Sequence, residues 1–158
     1  MLSLKRLFLR TVGRWIPSDW FSYRMAVSVK GICFIDGKVI LLKNERGQWD
    51  LPGGKMGSKE EIEVALKREM REELGVEVEV HKLLDAFRAR IYRQINVLLI
   101  VYLCSTSAKE EELSMSYESF ALQLFSPEEL DGIHLAHRKW AELIKSAAAQ
   151  LQKIQLES

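Results

Sequence analysis

The stretch from Gly54 to Val76, which reads GKMGSKEEIEVALKREMREELGV, constrains this chain more than any other part of it. Glu69, Glu72 and Glu73 are spaced i, i+3 and i+4, so a helix here would carry three carboxylates on one face. Like charges at this spacing repel one another. A hard divalent cation such as Mg²⁺ or Mn²⁺ would turn the repulsion into binding, because such ions take carboxylate oxygens as ligands. The pattern therefore indicates a metal site on one helix face.

The same carboxylates are also compatible with an ordinary solvated helix face. The basic residues Lys67, Arg68 and Arg71 are interleaved with them and would form ion pairs at helical spacing. Charge patterning by itself is a weak signal. At this level both interpretations stay open.

Both ends of the predicted helix carry boundary signals. Ser58 is the expected N-cap, and Glu61 completes a capping box. Gly75 is the expected C′ residue in the left-handed conformation. The segment 51–54 ahead of the helix, Leu-Pro-Gly-Gly, predicts a tight loop whose backbone can approach a ligand closely. Apolar residues at three- and four-residue steps predict a buried stripe of Ile62, Ala65, Leu66, Met70 and Leu74.

The spacing of the whole stretch resembles the signature of the Nudix hydrolases. The chain matches this signature at all of its defining positions, which are Gly54, then Glu60 after five residues, and then the run 68–76 after seven more. One departure lies between them, because Lys59 stands where family members commonly carry glycine, with Gly57 two places earlier. The departure bears on the shape of the loop and leaves the carboxylates intact.

The resemblance implies a role for each charged residue of the helix. Glu72 and Glu73 would be the primary metal ligands, with the carbonyl of Gly53 as a backbone ligand. Glu69 would either bind metal or act as the general base, since family members differ on this point. Arg68 would hold and orient the carboxylates through charge-assisted hydrogen bonds and so belongs to the catalytic set.

Two further glutamates are expected around this cluster. Glu60 would lie beside it in a supporting role like that of Arg68. Many family members draw another metal ligand or base from a distal loop, and Glu118 best matches that placement. Residues 110–112, all glutamate, are its competitors, and an exposed position at a strand end is the equal alternative for Glu118.

The resemblance implies a hydrolase that cleaves the pyrophosphate bond of a nucleoside diphosphate linked to another moiety, by attack of water at phosphorus. A diphosphate repels an anionic nucleophile, so the site must neutralise charge, and Mg²⁺ or Mn²⁺ is the expected cofactor. Nucleoside triphosphates, nucleotide sugars and dinucleoside polyphosphates all remain open as substrates. The alternative function is a non-catalytic, nucleotide-binding regulatory module on the same fold. Such modules usually lose glutamates of the signature, and none is missing here.

Two residues outside the signature are candidate substrate contacts. Arg46 lies in a polar loop and is a candidate for phosphate binding, although a solvated loop arginine is the alternative. Tyr92 falls in the window where family members acting on dinucleoside polyphosphates often carry tyrosine, and a structural tyrosine beside a turn is its alternative.

Alternating strand and helix signals predict an α/β fold. Strands are expected over 25–35, 39–42, 49–51, 76–80, 83–91, 96–104 and 118–125, with Asp36-Gly37 as a hairpin turn and a turn over 90–94. Further helices are expected over 126–130 and from about 135 to about 154. The resemblance adds a Nudix-like α/β/α sandwich with a mixed, curved sheet and a loop-helix-loop catalytic box.

The first 24 residues are expected to stand apart from the domain over 25–158. Residues 2–16 have the pattern of a basic amphipathic helix, followed by a linker. Such a helix either packs on the domain, binds a membrane surface or forms a homodimer contact.

Composition limits the remaining partners and the compartment. With 158 residues, of which 47% are hydrophobic, the chain suits one domain, and its net charge of +1 gives no strong field for nucleic acid. Cys33 and Cys104 lie in apolar strand-like runs and are expected to be buried free thiols, which favours a cytoplasmic location. No transmembrane run is present, and the three histidines lack a zinc-binding spacing and are read as surface or cap residues.

Overall fold

A mixed six-stranded sheet organises the part of the chain that the computed structural model describes, which is residues 25–91, 95–117 and 119–156. The predicted amphipathic helix over 2–16 lies outside these ranges. The strands are β1 (Ala26–Ile35), β2 (Lys38–Lys43), β3 (Trp49–Asp50), β4 (Glu79–Ile91), β5 (Ile95–Ser105) and β6 (Ala121–Phe125). The α-helices are α1 (Ile62–Leu74) and α2 (Trp140–Leu156), and short 3₁₀ helices cover Glu110–Glu112 and Glu129–Gly132.

The strands are arranged in the order β3-β2-β1-β5-β4, and β6 pairs with β2. β1 and β5 run parallel, in a register that joins Ala26 to Val97 and Cys33 to Cys104. The other strand pairs are antiparallel. The nearly continuous apolar sequence of β5 fits its place between two neighbours, as predicted for a central strand.

The predicted hairpin turn is present between β1 and β2. Asp36 has φ 49° and Gly37 has φ 77°, so both central residues are left-handed. A two-residue turn of this kind matches the right-handed twist of the strands that it joins. The turn therefore fixes the register in which Phe34 pairs with Val39.

The two α-helices pack on opposite faces of the sheet. Leu66 and Met70 of α1 are fully buried in a cluster with Val29 and Cys33 of β1. Trp140 of α2 is buried in a second cluster, which contains Ile32 of the same strand. Because successive strand residues point to opposite faces, this alternation places one helix on each side. The predicted α/β/α sandwich is confirmed.

Two segments of the chain share one edge of β1. The second half of β1 pairs with β2 along this edge, and the first half is hydrogen-bonded to the glycine loop. The N–H of Val29 donates to the carbonyl of Gly54, and the N–H of Gly31 donates to the carbonyl of Pro52, both at 2.9 Å. The N–H of Met56 donates to the carbonyl of Val27 at 3.0 Å. The glycine loop is thus part of the sheet edge, and its backbone is fixed before α1 begins.

The predicted capping box at Ser58 is wrong. Helix α1 begins at Ile62, and Glu61 occupies the N-cap position without a side-chain cap hydrogen bond. The reason lies in the preceding turn, where Oε2 of Glu60 accepts the Gly57 N–H at 2.9 Å. The C-terminal prediction is confirmed, since Gly75 has φ 71° and its N–H donates to the carbonyl of Arg71 at 3.0 Å.

The strand predicted over 76–80 is wrong for its first three residues, and the turn predicted over 90–94 is wrong at Arg90 and Ile91, while the rest of that turn lies outside the described residues. β4 is one long strand that starts at Glu79 and includes Arg90, and it carries irregularities after Val80 and after Leu83. Val76 and Val78 precede it and are buried in the cluster under α1. Their alternation therefore reflects burial against a helix and not pairing in the sheet.

The last helix begins at Trp140, later than the predicted start near Leu135. The segment before it pairs with β3 instead, because the N–H of Trp49 donates to the carbonyl of His134 and the N–H of Ala136 donates to the carbonyl of Trp49, both at 2.8 Å. No helix in the described ranges is long and apolar enough to cross a membrane.

Candidate active site

Gly53 joins the glycine loop to the acidic face of α1. Its N–H donates to Oε2 of Glu73 at 2.7 Å. Its φ of 120° lies in a region that residues with a side chain rarely adopt, and a Cβ at this position would lie 3.0 Å from the Cα of Lys30. A glycine is therefore required where the loop passes between β1 and Glu73.

Arg68 organises the other carboxylates of the face. It binds Glu60 through two hydrogen bonds, from Nε at 2.9 Å and from Nη2 at 3.0 Å. Its Nη1 also donates to Glu69 at 2.7 Å and to Glu72 at 3.1 Å. The Arg68 guanidinium, together with the Gly57 N–H, lowers the pKa of Glu60 to about 2, and the hydrogen bonds to Glu60 and Glu69 raise the pKa of Arg68 itself. The positioning role predicted for Arg68 and Glu60 is consistent with this geometry.

The Glu69 carboxylate packs against Gly54. Its side chain is only 14% exposed, whereas the Glu72 side chain is 59% exposed. A Cβ at Gly54 would lie 2.6 Å from Cδ of Glu69, so the absence of a side chain is what makes room for this carboxylate.

Glu73 is half-buried at the end of the glycine loop. Burial raises the pKa of its carboxyl, and the neighbouring carboxylates of Glu69 and Asp50 raise it further. The Lys30 ammonium and the Gly53 N–H act in the opposite direction. Burial of the carboxyl is the main reason that its pKa is raised, and the two neighbouring carboxylates add to it.

The donor set fits a hard divalent cation in its chemistry. Three carboxylates and the Gly53 carbonyl are oxygen ligands of the kind that Mg²⁺ and Mn²⁺ prefer. Among the described residues, however, no three acidic, histidine or cysteine side chains converge on a common point. Glu69 and Glu72 are held by Arg68 instead, while Glu73 turns towards Gly53. An ion would thus compete with Arg68 for two of the predicted ligands.

A polar cavity of about 190 Å³ opens beside Glu73. Its walls include Lys30, Lys43, Asn44, Asp50, Glu73 and Ser119. The Nζ of Lys43 lies 5.3 Å from the centre of the Trp49 ring. The wall of this cavity therefore carries both positively and negatively charged side chains, and the cavity lies next to the acidic face of α1.

Three residues of the site were not predicted. The Nζ of Lys30 donates to the carbonyls of Leu51 and Gly53, both at 2.8 Å, and to Oδ2 of Asp50 at 3.2 Å. Nε1 of Trp140 donates to Oδ1 of the same Asp50 at 2.7 Å, which connects the site to α2. The charged lysine in the mostly apolar run AVSVKGICFI was the signal that could have identified Lys30.

The remaining predicted residues are more scattered. Arg46 is exposed in the loop between β2 and β3, where its N–H donates to Oδ1 of Asn44 at 3.0 Å. Glu112 lines a different cavity, beside Gly75 at the far end of α1. Tyr92 and Glu118 lie outside the described residues, so their predicted roles stay predictions.

His137 is not simply a surface or cap residue. Its ring lies 5.0 Å from that of Phe87 and 5.2 Å from that of Trp140, and its Nδ1 accepts the Lys139 N–H at 3.2 Å. It belongs to the packing between β4 and the start of α2.

Comparison with known proteins identifies the family. A sequence profile of the NUDIX domain matches residues 11–146. A MutT-like protein from Streptomyces ambofaciens is 31% identical over 107 residues, which cover 66% of this chain and 66% of that protein. The nucleoside triphosphatase NudI of Escherichia coli is 32% identical over 102 residues, which cover 54% of this chain and 72% of NudI. A NUDIX-family hydrolase from Clostridium perfringens superposes with a TM-score of 0.72 at 19% identity, over 82% of this chain and 99% of that one. The chain therefore belongs to the NUDIX family of hydrolases.

Proposed function

We propose that this enzyme hydrolyses the pyrophosphate bond of a nucleoside diphosphate linked to another moiety, with Mg²⁺ or Mn²⁺ as cofactor. The observation that carries the proposal is the half-buried carboxylate of Glu73, which is bound to Gly53 and placed beside Glu69, Asp50 and an open polar cavity. A half-buried carboxylate with raised pKa at the wall of a cleft is a recognised mark of a functional site.

The reaction transfers a phosphoryl group to water. The oxygen of water forms a bond to phosphorus, the bond from phosphorus to the bridging oxygen breaks, and two phosphate-bearing products leave. A bound divalent ion would supply charge neutralisation at the attacking and leaving oxygens. The residues of the chain then have to hold that ion, orient the carboxylates and accept the proton that water loses.

We assign these tasks to the residues of the acidic face and its loop. Glu72, Glu73 and the Gly53 carbonyl would hold the ion. Glu69 would either share in this or accept the proton from water, and its placement against Gly54 limits where its carboxylate can reach. Arg68 would keep Glu69 and Glu72 in place through the hydrogen bonds that it makes to both.

Glu118 is proposed as a further ligand or base. Ser119, its neighbour in sequence, lines the cavity beside Glu73. The N–H of Ser116 donates to the carbonyl of Glu73 at 3.3 Å, and that of Phe120 donates to the carbonyl of Lys43 at 2.9 Å. Described residues on both sides of Glu118 therefore run along this site.

Nucleoside triphosphates are the substrates that we propose to test first. The similarity to a protein named nucleoside triphosphatase supports this choice. Lys30 and Lys43 supply positive charge to the cavity, and Arg46 and Tyr92 are retained as proposed substrate contacts. Nucleotide sugars and dinucleoside polyphosphates remain the other substrate classes of the proposal.

We also propose a cytoplasmic location, and, for the helix predicted over 2–16 ahead of a domain over 25–158, a role in dimer formation or in binding to a membrane surface. Cys33 and Cys104 are buried and free, as expected of a protein in a reducing compartment. Gel filtration of the intact chain and of a variant lacking residues 1–16 tests the dimer, which is disproved if both elute as monomers.

Hydrolysis of a substrate panel tests the proposed function. Purified enzyme with Mg²⁺ or Mn²⁺ should cleave at least one nucleoside triphosphate, nucleotide sugar or dinucleoside polyphosphate, and Glu72→Gln should remove that activity. Glu63→Gln is the matched control, because Glu63 is an exposed glutamate of the same helix. Tight nucleotide binding without turnover would instead indicate a regulatory module. Full activity of Glu72→Gln would disprove the site assignment.

A further inference from the structure

The Lys30 ammonium occupies a pocket made of oxygen atoms. It donates to two backbone carbonyls, those of Leu51 and Gly53, and to the Asp50 carboxylate, with distances of 2.8, 2.8 and 3.2 Å. Its side chain is only 13% exposed. Ligands of this kind, carbonyls and a carboxylate around one cation, also suit a divalent metal ion.

The glycine loop is also held by contacts that do not involve the Lys30 side chain. The backbone of β1 already fixes the loop, through the hydrogen bonds from Gly31 to Pro52 and from Val29 to Gly54. Asp50 has two other donors, the indole N–H of Trp140 and the N–H of Leu51. Lys30 adds a positive charge that these contacts lack, and it places this charge against the carbonyl of Gly53.

We infer that Lys30 is a built-in cation that competes with the divalent ion and so sets how much metal the enzyme needs. The inference rests on the proposed function, because it takes Gly53 and Glu73 as metal ligands. Lys30 partly compensates the charge of Glu73 when no metal is bound, and its ammonium shares the Gly53 oxygen that the ion would use.

The expected effect on metal affinity follows from distances and charges. A metal–oxygen bond of about 2.1 Å added to the 2.8 Å hydrogen bond places an ion on Gly53 within roughly 5 Å of the ammonium. A single charge and a double charge at that separation repel strongly, even with the screening of a site near the surface. Removing the ammonium should therefore raise the affinity for metal by about tenfold or more, provided that the loop keeps its shape.

Binding of Mn²⁺ to the metal-free protein, followed by electron paramagnetic resonance without substrate, tests the inference. Lys30→Met keeps an unbranched apolar side chain of similar length and should bind Mn²⁺ about tenfold more tightly than the wild type. Lys30→Arg keeps the charge and should not bind more tightly. Lys145→Met is the control, because Lys145 lies on α2, on the other face of the sheet, where it pairs with Asp131. Its affinity for Mn²⁺ should stay within about twofold of the wild type.

Whether the affinity for Mn²⁺ rises or falls in Lys30→Met separates this inference from its competitors. An unchanged or weaker affinity of Lys30→Met would overturn it, and a weaker one would assign Lys30 to holding the loop. Thermal unfolding checks that the variant is folded, and Lys30→Gln repeats the measurement if Lys30→Met is not. A wild type that binds no Mn²⁺ would overturn the proposed metal site and this inference with it. That result differs from an unchanged affinity of the variant, because the wild type itself would show no binding of Mn²⁺ in the titration.

Discussion

The contact between Gly54 and Glu69 leads to a demanding prediction about Gly54→Ala. Gly54 has no positive φ, so alanine is compatible with the backbone at this position. The added Cβ would nevertheless lie 2.6 Å from Cδ and 2.9 Å from Oε1 of Glu69. The substitution therefore perturbs one carboxylate without straining the loop.

The magnitude follows from that overlap. Non-bonded carbon atoms are at their best separation at about 3.5 Å or more, so the carboxylate of Glu69 must withdraw by about 1 Å. A displacement of about 1 Å in catalytic groups can cost about a hundredfold in rate, or about 2.7 kcal/mol in the activation free energy. We expect kcat to fall by about this factor, while the thermal unfolding midpoint changes little.

Steady-state kinetics on the best substrate of the panel measure this effect. Gly132→Ala is the control, because a Cβ there would meet no atom within 4 Å. The shorter side chain in Glu69→Asp should relieve the overlap, so Gly54→Ala should cost less in that background than in the wild type. Full activity of Gly54→Ala, or equal costs in the two backgrounds, would refute the placement of Glu69 in the working enzyme.

Three further predictions concern charge and burial. Ionised Glu73 costs stability above its ordinary pKa, because burial raises that pKa in the folded state, so Glu73→Gln should raise the melting temperature of the metal-free protein at pH 7.5 while removing activity. The gain in melting temperature should vanish below about pH 4, where both proteins are neutral at this position, and a gain that persists there would contradict the assignment. Arg68→Lys should lower kcat roughly tenfold with little change in KM, because lysine cannot bind Glu60 through two parallel hydrogen bonds, and an unchanged kcat would exclude a positioning role. Burial raises the pKa of both Cys33 and Cys104 to about 12, so neither thiol should react with a disulfide reagent at pH 8 until the protein unfolds, and rapid labelling of the native protein would count against their burial.

The predictions made from the sequence are most accurate for features that depend on residues close together in the chain. Asp36-Gly37 specifies a hairpin turn because both residues tolerate left-handed dihedral angles, and Gly75 ends α1 for the same reason. The apolar periodicity between them placed Leu66 and Met70 in the core, where the structure has them fully buried. These signals depend only on residues a few positions apart.

The predictions that failed depend on contacts between distant segments. Ser58 is a good N-cap in isolation, but Glu60 is held by Arg68, which lies eight residues further along the chain, and the helix starts after that turn. Val76 and Val78 alternate like a strand because α1 covers them. No local pattern reports either of these contacts.

The candidate site divides in the same way. The spacing of Glu69, Glu72 and Glu73 on one helical face can be read directly from the sequence. The role of Lys30 cannot be read from the sequence, because it depends on the antiparallel pairing of β1 with the glycine loop, which brings Lys30 next to Gly53. Register between segments some twenty residues apart is a property of the folded sheet.

Hydrolysis in water labelled with ¹⁸O, with the products analysed by mass spectrometry, tests the central claim most directly. The account predicts that wild-type enzyme with Mg²⁺ or Mn²⁺ cleaves a nucleoside triphosphate or a related diphosphate and places one labelled oxygen on a phosphorus of one product. Removal of the metal by a chelator, or the change Glu72→Gln, should abolish that product. Label on a carbon atom, or turnover that survives both treatments, would contradict an enzyme that uses the acidic face of α1 to direct water at phosphorus.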